Sequence, residues 1–399
     1  MRPKGKSKRR PKGKSKMSEL EYTEQGFRLT TDTKRHHRTR AWDYTGEGIY
    51  HFTLSVAERY PLFGQLEGDS PEDARIALSP FGQLVKELLR DEPRYYGEKG
   101  YSLKMLATQI MPDHIHIALQ VLAPLPKSIG TVVRGFKSAC TSLYKRVNAA
   151  NGRKHATKGE IEEASIRDIA GENDILFSRI FTRIGSIWQP DPAHYYDRII
   201  HSYDQIDHLI NYIKDNPRRL WLKRANPDLF RIRQDLLIGE SSYTGLGNIF
   251  LADHPQKEAL HCSRSLSQTE IDALRDKCLD EAANGTVYVS AAISEGEKQI
   301  CRALREAGFP LVVLLAEGFP APDSPHHRYF KPQGVYFEAC AAGKLLLLEP
   351  AAEAFERSDI EAKVFAKTGP IPHESKRYRF VALNHLAEEI AQSFAPSLG

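Results

Sequence analysis

The stretch Met111-Pro-Asp-His-Ile-His-Ile-Ala-Leu119 limits what this chain can become more than any other. It places two histidines, His114 and His116, one residue apart at the head of an apolar alternation. Strand side chains point to opposite faces with period two, so the two imidazoles share one face. Held there, they can take two cis positions on a single metal ion. The alternative is a pair of partly buried strand histidines bonded to backbone.

A second element bears on that choice. In Asp204–Asp215, Ile206, Leu209, Ile210 and Ile213 recur at three- and four-residue spacing, which predicts a helix. Pro217 is expected to stop it, because a proline disfavours helical geometry in the residue before it. Tyr212 and Asn216 are four apart and therefore neighbours on one helix face. The Asn216 oxygen is a hard ligand able to join two histidines on a divalent cation, and the Tyr212 hydroxyl would then stand beside the metal. A phenol is a poor nucleophile unless it is held in line with the phosphorus and assisted. The other reading packs Tyr212 in the core and uses Asn216 to cap the helix end.

Met-Pro-Asp-His-Ile-His, Ile187-Trp188-Gln189-Pro190, Tyr196-Asp197-Arg198-Ile199-Ile200 and Tyr212-Ile-x-x-Asn216-Pro217 occur in this order. Over roughly residues 40–225 the chain resembles the single-tyrosine HUH transposases, specifically the REP-associated tyrosine transposase branch. The resemblance implies that His114 and His116 are metal ligands, that Asn216 supplies the remaining position and that Tyr212 is the nucleophile. It also implies a target carrying a short hairpin or palindromic repeat. The long polar stretch Val147–Asp174 departs from the more compact relatives.

At 399 residues and 41% hydrophobic content, two domains with real cores are expected. No apolar run approaches bilayer length, and the basic N-terminus lacks the apolar core of a secretory signal, so no membrane partner is expected. Cys140, Cys262, Cys278, Cys301 and Cys340 form no C-x-x-C pair, which suits free thiols in a reducing cytoplasm, here nucleoid-associated. Residues 1–16 hold nine Lys/Arg and no acid; removing those nine charges turns the whole-chain +5 into −4. Within them Arg2-Pro-Lys-Gly-Lys-Ser-Lys8 returns as Arg10–Lys16. Such a composition cannot pack a core and is expected to be disordered, holding phosphates non-specifically. Alternatively, Met17 is the true start and the repeat a translated upstream duplication. The cluster Lys34-Arg-His-His-Arg-Thr-Arg40 reads as an arm reaching along DNA, so residues 1–40 form a basic tail and arm.

Residues 41–228 read as the first domain. Strands are expected at Gly48–Val56 and Tyr101–Thr108, the latter pairing with the His-x-His strand as a hairpin. Helices are expected at Leu78–Leu89 and Ser128–Val147, with Ile187-Trp188 as a short strand after the insertion. The pattern suggests an antiparallel sheet with helices on one face, a ferredoxin-like α+β layer. Trp188, before a Gln-Pro turn, reads as core rather than as a base-stacking surface. Arg134 and Lys137, three apart on one helical face, are candidate phosphate contacts. So are Arg198, and Arg218 with Arg219 where cations complement a helix C-terminus. Each has the alternative of a solvated or salt-bridged side chain.

Residues 236–399 differ in character. Continuous apolar strands at Thr286–Ser294, Leu311–Leu315 and Lys344–Leu348 alternate with helices at Thr269–Ala283 and Glu295–Ala307. This predicts a Rossmann-like α/β domain with a parallel sheet covered on both faces. The segment resembles the nucleotide-binding fold of DNA-processing protein A through Gly247-Asn248…Pro255, Ser263-Arg264 and Val289-Ser290. Cys262 and Ala291 replace glycines that would let backbone approach a phosphate, and Glu295 and Glu297 would repel an anion. No cofactor-binding residue is therefore assigned here, and an accessory role facing protein or DNA is the alternative.

The expected activity is transesterification on single-stranded DNA, with Mg²⁺ or Mn²⁺ on His114, His116 and Asn216, through a 5′-phosphotyrosine at Tyr212. The expected assembly is a monomer or homodimer. The competing readings are a non-cleaving nucleic-acid-binding regulator and a phosphoesterase in which water attacks.

Overall fold

The computed structural model describes residues 42–152, 174–190, 196–200, 204–320, 332 and 334–393. The tail repeat, the Lys34–Arg40 arm and most of the polar insertion lie outside them. The described residues divide into two compact units, one within Thr33–Arg231 and one within Ile232–Gly399.

The first unit runs β1 (Gly48–Ser55), β2 (Gly64–Glu67), β3 (Arg75–Leu78), α1 (Pro80–Gly97), β4 (Leu103–Met111), β5 (His114–Val121), α2 (Gly130–Gly152), α3 (Asp174–Ile184), β6 (Tyr196–Ile200) and α4 (Asp204–Ala225). Its main sheet has the order β4-β5-β1-β6 and is antiparallel throughout. Residues 48–56 and the β4–β5 hairpin follow the alternation read from the sequence. The β2–β3 hairpin, too short for a periodic signal, was not anticipated. The strand expected at Ile187-Trp188 is a single bridge between Val56 and Trp188; β6 takes the sheet position instead. Trp188 is buried, and its Nε1 donates to the Lys137 carbonyl at 2.9 Å, as a core indole requires.

Period two sorts the sheet into two faces. Tyr50, Phe52 and Leu54 of β1, with Ile115, Ile117 and Leu119 of β5, pack on Val85 and Leu89 of α1 and Val132, Val133 and Phe136 of α2. The opposite parity, Ile49, Ala107, Ala118 and Ile200, packs on Leu209 and Ile213 of α4. Helices on a single face are thus corrected to helices on both. The apolar stripe of α4 needs a cover, and the small residues Ala107 and Ala118 offer one.

Helix α1 starts where Ser79 caps Gly82 N–H and Pro80 fills the first turn. It runs beyond the expected Leu89 to Gly97 and carries the buried Glu92. The Oε1 of Glu92 has no hydrogen-bond partner, and burial pushes the carboxyl from 4.5 up to about 8. A neutral acid in the folded chain that ionises when unfolded favours folding below pH 4.5, an advantage lost as pH rises through about 8. Between pH 5 and 9 the melting temperature of the wild type should therefore fall more steeply than that of Glu92→Gln. The gap should reach a few kcal/mol, at about 1.4 kcal/mol per pKa unit. Parallel pH curves for the two proteins would contradict a buried neutral acid.

The second unit runs β7 (Arg233–Ile238), β8 (Ser241–Gly247), β9 (Lys257–Ala259), α5 (Gln268–Ala283), β10 (Val287–Ser290), α6 (Glu295–Glu306), β11 (Leu311–Leu314), α7 (Val335–Ala341), β12 (Leu345–Pro350), α8 (Ala352–Phe355), α9 (Ser358–Thr368) and α10 (Lys376–Gln392). Its sheet order is β7-β8-β12-β11-β10-β9. Strands β9 to β12 are parallel, but β8 joins β12 antiparallel and β7 extends that edge, so the sheet is mixed rather than parallel. Gly245 and Gly247 are residues of β8. A Cβ on Gly247, at φ 115°, would lie 2.1 Å from the Leu345 carbonyl oxygen, so only glycine lets β8 approach β12. Cys140, Cys262, Cys278, Cys301 and Cys340 are all buried free thiols. Among the described residues no helix is long and apolar enough to cross a membrane.

Candidate active site

The turn Pro112-Asp113 closes the β4–β5 hairpin, so His114 and His116 sit at the first inward positions of β5, paired with Met111 and Gln109. Both are buried on the face covered by α4. Their Nε2 atoms lie 3.1 Å apart. Two ligands at right angles on a divalent cation with bonds of about 2.1 Å would be separated by about 3.0 Å.

The far nitrogens are held from behind. His114 Nδ1 is 2.5 Å from Asp113 Oδ1, and Asp113 is paired with Arg59 at 2.9 Å. An ionised carboxylate only accepts, so the proton of His114 sits on Nδ1 and its Nε2 presents a lone pair. His116 Nδ1 is 3.0 Å from His51 Nε2 and 3.1 Å from Thr53 Oγ1, both on β1. The antiparallel register sets Thr53 directly opposite His116. Arg59 reaches Asp113 from a turn in which Glu58 and Arg59 take φ of 55° and 57°. Such left-handed conformations cost of order 1 kcal/mol or more for non-glycine residues, and here they sit beside the histidines.

Tyr212 faces this group from α4. Its ring centroid is 5.7 Å from that of His116 and 6.2 Å from that of His51, both edge-on. The residue is 40% exposed, whereas the histidines beside it are buried. The Tyr212 phenol is therefore reachable from outside.

The helix does not stop at Pro217. It continues to Ala225 with the proline inside. Pro217 has no N–H, so the Ile213 carbonyl loses its usual donor four residues on. The side chain of Asn216 compensates, its Nδ2 donating to the Tyr212 carbonyl at 2.7 Å and more distantly to Ile213 at 3.4 Å. That commits the amide nitrogen to the helix and leaves Oδ1 as the acceptor of this buried side chain. Pro217→Ala should raise stability by about 1–3 kcal/mol by restoring the helical bond. It should also weaken any function that needs Asn216 fixed; a melting curve set beside a metal titration would show whether the two effects oppose.

Continuation of the helix also relocates Arg218 and Arg219. Neither complements a helix end: Arg218 pairs with Asp215 at 3.5 Å, and Arg219 with Asp215 at 4.0 Å. The Arg219 guanidinium lies 5.6 Å over the Tyr212 ring. Its place, seven residues on from Tyr212 and hence on the same face, was hidden by the expected stop at Pro217. Arg134 and Lys137 are not brought to the histidines, because α2 packs on the opposite face of the sheet. Arg198 pairs in register with His51, and its side chain lies outside the described residues. His51, Thr53, Asp113 and Arg59 received no site role from the sequence, and Arg219 was read as a phosphate contact rather than as a neighbour of the Tyr212 ring.

The chemistry of this cluster suits a cation. Two buried imidazole nitrogens converge, one of them carrying a lone pair, with an amide oxygen one turn from the phenol. Among the described residues no group of three or more His, Cys, Asp or Glu is arranged to hold a metal.

In the second unit, the segment likened to a nucleotide site is occupied by the chain itself. The buried Glu297 carboxylate accepts from Ile293 N–H at 2.7 Å, Ser294 N–H at 3.1 Å and Cys262 N–H at 3.4 Å. The amides of Ile293 and Ser294 immediately precede α6, where a ligand phosphate would compete for them. Asn248 caps Phe250 N–H and donates to the Gly343 carbonyl, a structural role.

No family model matches the chain. An uncharacterized protein of Haemophilus influenzae is 22% identical over 184 residues, spanning 46% of this chain and 88% of its own length. Among solved structures, a REP-associated tyrosine transposase bound to a REP hairpin aligns at 14% identity with a TM-score of 0.25, covering 45% of this chain and 72% of its own. A candidate transposase from Deinococcus radiodurans aligns at 15% identity with a TM-score of 0.21, over 45% of this chain and 96% of its own.

Proposed function

We propose that the first unit is a ferredoxin-like HUH domain and that the chain is a single-stranded DNA transesterase acting beside hairpin or palindromic repeats. The observation that carries this reading is an exposed tyrosine whose ring stands 5.7 Å from that of a buried histidine, itself 3.1 Å from a second one. His114, His116 and the Asn216 oxygen would hold a divalent cation, Mg²⁺ or Mn²⁺, whose chemistry is to polarise a non-bridging oxygen of the scissile phosphate.

The other roles fall to the chain. Tyr212 Oη forms a bond to phosphorus as the bond to the 3′-oxygen breaks. The phenol gives up its proton, and the departing 3′-oxygen takes one from water. The product is a 5′-phosphotyrosine and a free 3′-hydroxyl. Attack by a 3′-hydroxyl on that phosphorus reverses the exchange and rejoins DNA, so no nucleotide is consumed. Arg219 over the ring face and His51 at its edge hold the phenol in one orientation. The second unit, with its amides taken by Glu297, serves as a Rossmann-like accessory rather than as a nucleotide-binding module.

The test is to trap a covalent adduct. A hairpin oligonucleotide carrying a scissile phosphate, incubated with Mn²⁺, should yield a denaturant-stable protein–DNA species whose peptide map places the nucleotide on Tyr212. DNA that is retained without an adduct would favour the non-cleaving regulator. Cleavage without an adduct would favour hydrolysis by water.

A further inference from the structure

Three histidines, rather than two, form a continuous line into Asp113. His51 Nε2 lies 3.0 Å from His116 Nδ1, His116 Nε2 lies 3.1 Å from His114 Nε2, and His114 Nδ1 lies 2.5 Å from Asp113 Oδ1. His51 and His116 are both buried, and their rings stack with centroids 5.2 Å apart. Each close contact needs one proton between its two heavy atoms, and each neutral imidazole has one to offer. Starting from the carboxylate, His114 donates its Nδ1–H to Asp113 and keeps the proton. The 3.1 Å contact must then be filled from His116 Nε2, which leaves His116 Nδ1 to accept from His51 Nε2–H. All three contacts are satisfied by three neutral rings with no metal present.

A cation between the two Nε2 atoms is incompatible with that arrangement, since His116 Nε2 must present a lone pair. The proton of His116 then belongs on Nδ1, where two acceptors are in reach: His51 Nε2, once its own proton has moved to Nδ1, and Thr53 Oγ1 at 3.1 Å. We propose that His51 is a positioning residue whose tautomer changes with that of His116, so that the same contact donates to His116 in the metal-free chain and accepts from it in the loaded one. His51 is no third ligand in this scheme, because it faces the nitrogen of His116 remote from His114. Each ring keeps one proton throughout, so loading releases none from this pair.

This inference rests on the metal-binding reading of the His114–His116 pair, and the experiment separates the two. Nitrogen-15 spectra of the full-length protein at pH 8 are expected to show the His116 proton on Nε2 without metal and on Nδ1 with saturating Mg²⁺. A His116→Gln variant assigns the resonances. In parallel, Mn²⁺ affinity followed by electron paramagnetic resonance should fall about 10- to 100-fold in His51→Leu/Thr53→Val, the range expected on losing an outer partner of a ligating histidine. His51→Gln, whose side-chain oxygen can accept where the imidazole nitrogen did, should recover to within about threefold. Far-UV circular dichroism and the melting temperature of the three proteins serve as the folding control. If Mn²⁺ binds the wild type and is lost in His114→Ala, but His116 keeps one tautomer throughout, the role of His51 is overturned and the metal site stands. The same holds if the double variant binds Mn²⁺ as the wild type does, or if His51→Gln binds no better than the leucine variant. If His114→Ala and wild type bind Mn²⁺ alike, the metal reading fails and takes the tautomer change with it.

Discussion

Tyr212→Phe is expected to bind a hairpin oligonucleotide within a few-fold of the wild type and to lose nicking and adduct formation by about 10⁴-fold or more, the scale on which removal of a catalytic nucleophile is felt. The variant deletes one oxygen from a residue that is 40% exposed and leaves the aromatic ring against His116, His51 and Arg219. Neither folding nor the packing of α4 has reason to change. Gel retardation and denaturing electrophoresis on the same samples would separate the two effects. Undiminished nicking by the variant would remove the phenol from the chemistry and leave water as the attacking group. A variant that neither binds nor nicks would mean the hydroxyl itself is part of the DNA surface.

His114→Ala and His116→Ala should each reduce Mn²⁺ affinity by at least about 100-fold, more than the loss of an outer partner. Nicking should fall in step. The two substitutions are not equivalent in what they leave behind. His114→Ala removes one partner of the Asp113 carboxylate, which remains paired with Arg59, whereas His116→Ala removes the buried contact with His51 and the one with Thr53. Asp113–Arg59 is a charged pair that tolerates loss of the imidazole, while breaking the buried contact between His51 and His116 costs about 1–3 kcal/mol. The His116 variant should therefore melt lower than the His114 variant while matching it in metal affinity. Calorimetric Mn²⁺ titration alongside thermal melting checks both statements, and equal affinity in wild type and variants would contradict the site.

Much of this architecture was legible because it rests on periodicity. The alternation of residues 48–56 and 114–121 set both strands and the parity that puts His114 and His116 on one face. The four-residue spacing of Tyr212 and Asn216 likewise survives in the helix. What was not legible depends on register. Nothing in a single sequence says that Thr53 lies opposite His116 or that His51 is its diagonal neighbour, since any antiparallel slip by two residues preserves the same hydrophobic pattern. Pro217 misled for a local reason: the rule that a proline ends a helix assumes the orphaned carbonyl finds no other donor, and Asn216 supplies one. The same assumption concealed Arg219. In the second unit, the direction in which a strand pairs is a property of the partner and not of its own pattern, so the antiparallel edge formed by β8 on β12 went unread.

The order β4-β5-β1-β6 has a temporal consequence. β1 is made first but sits between two partners that are synthesised later, and α4, which bears the phenol, is the last element of the first unit. A ribosome-bound chain can close the β4–β5 hairpin early, because its contacts are local, and can then add β1. It cannot assemble the phenol with the imidazoles until residues beyond 220 have emerged. An unfinished fragment would thus hold the imidazole pair without the phenol, and the proposed site would be completed in one step with the closing helix.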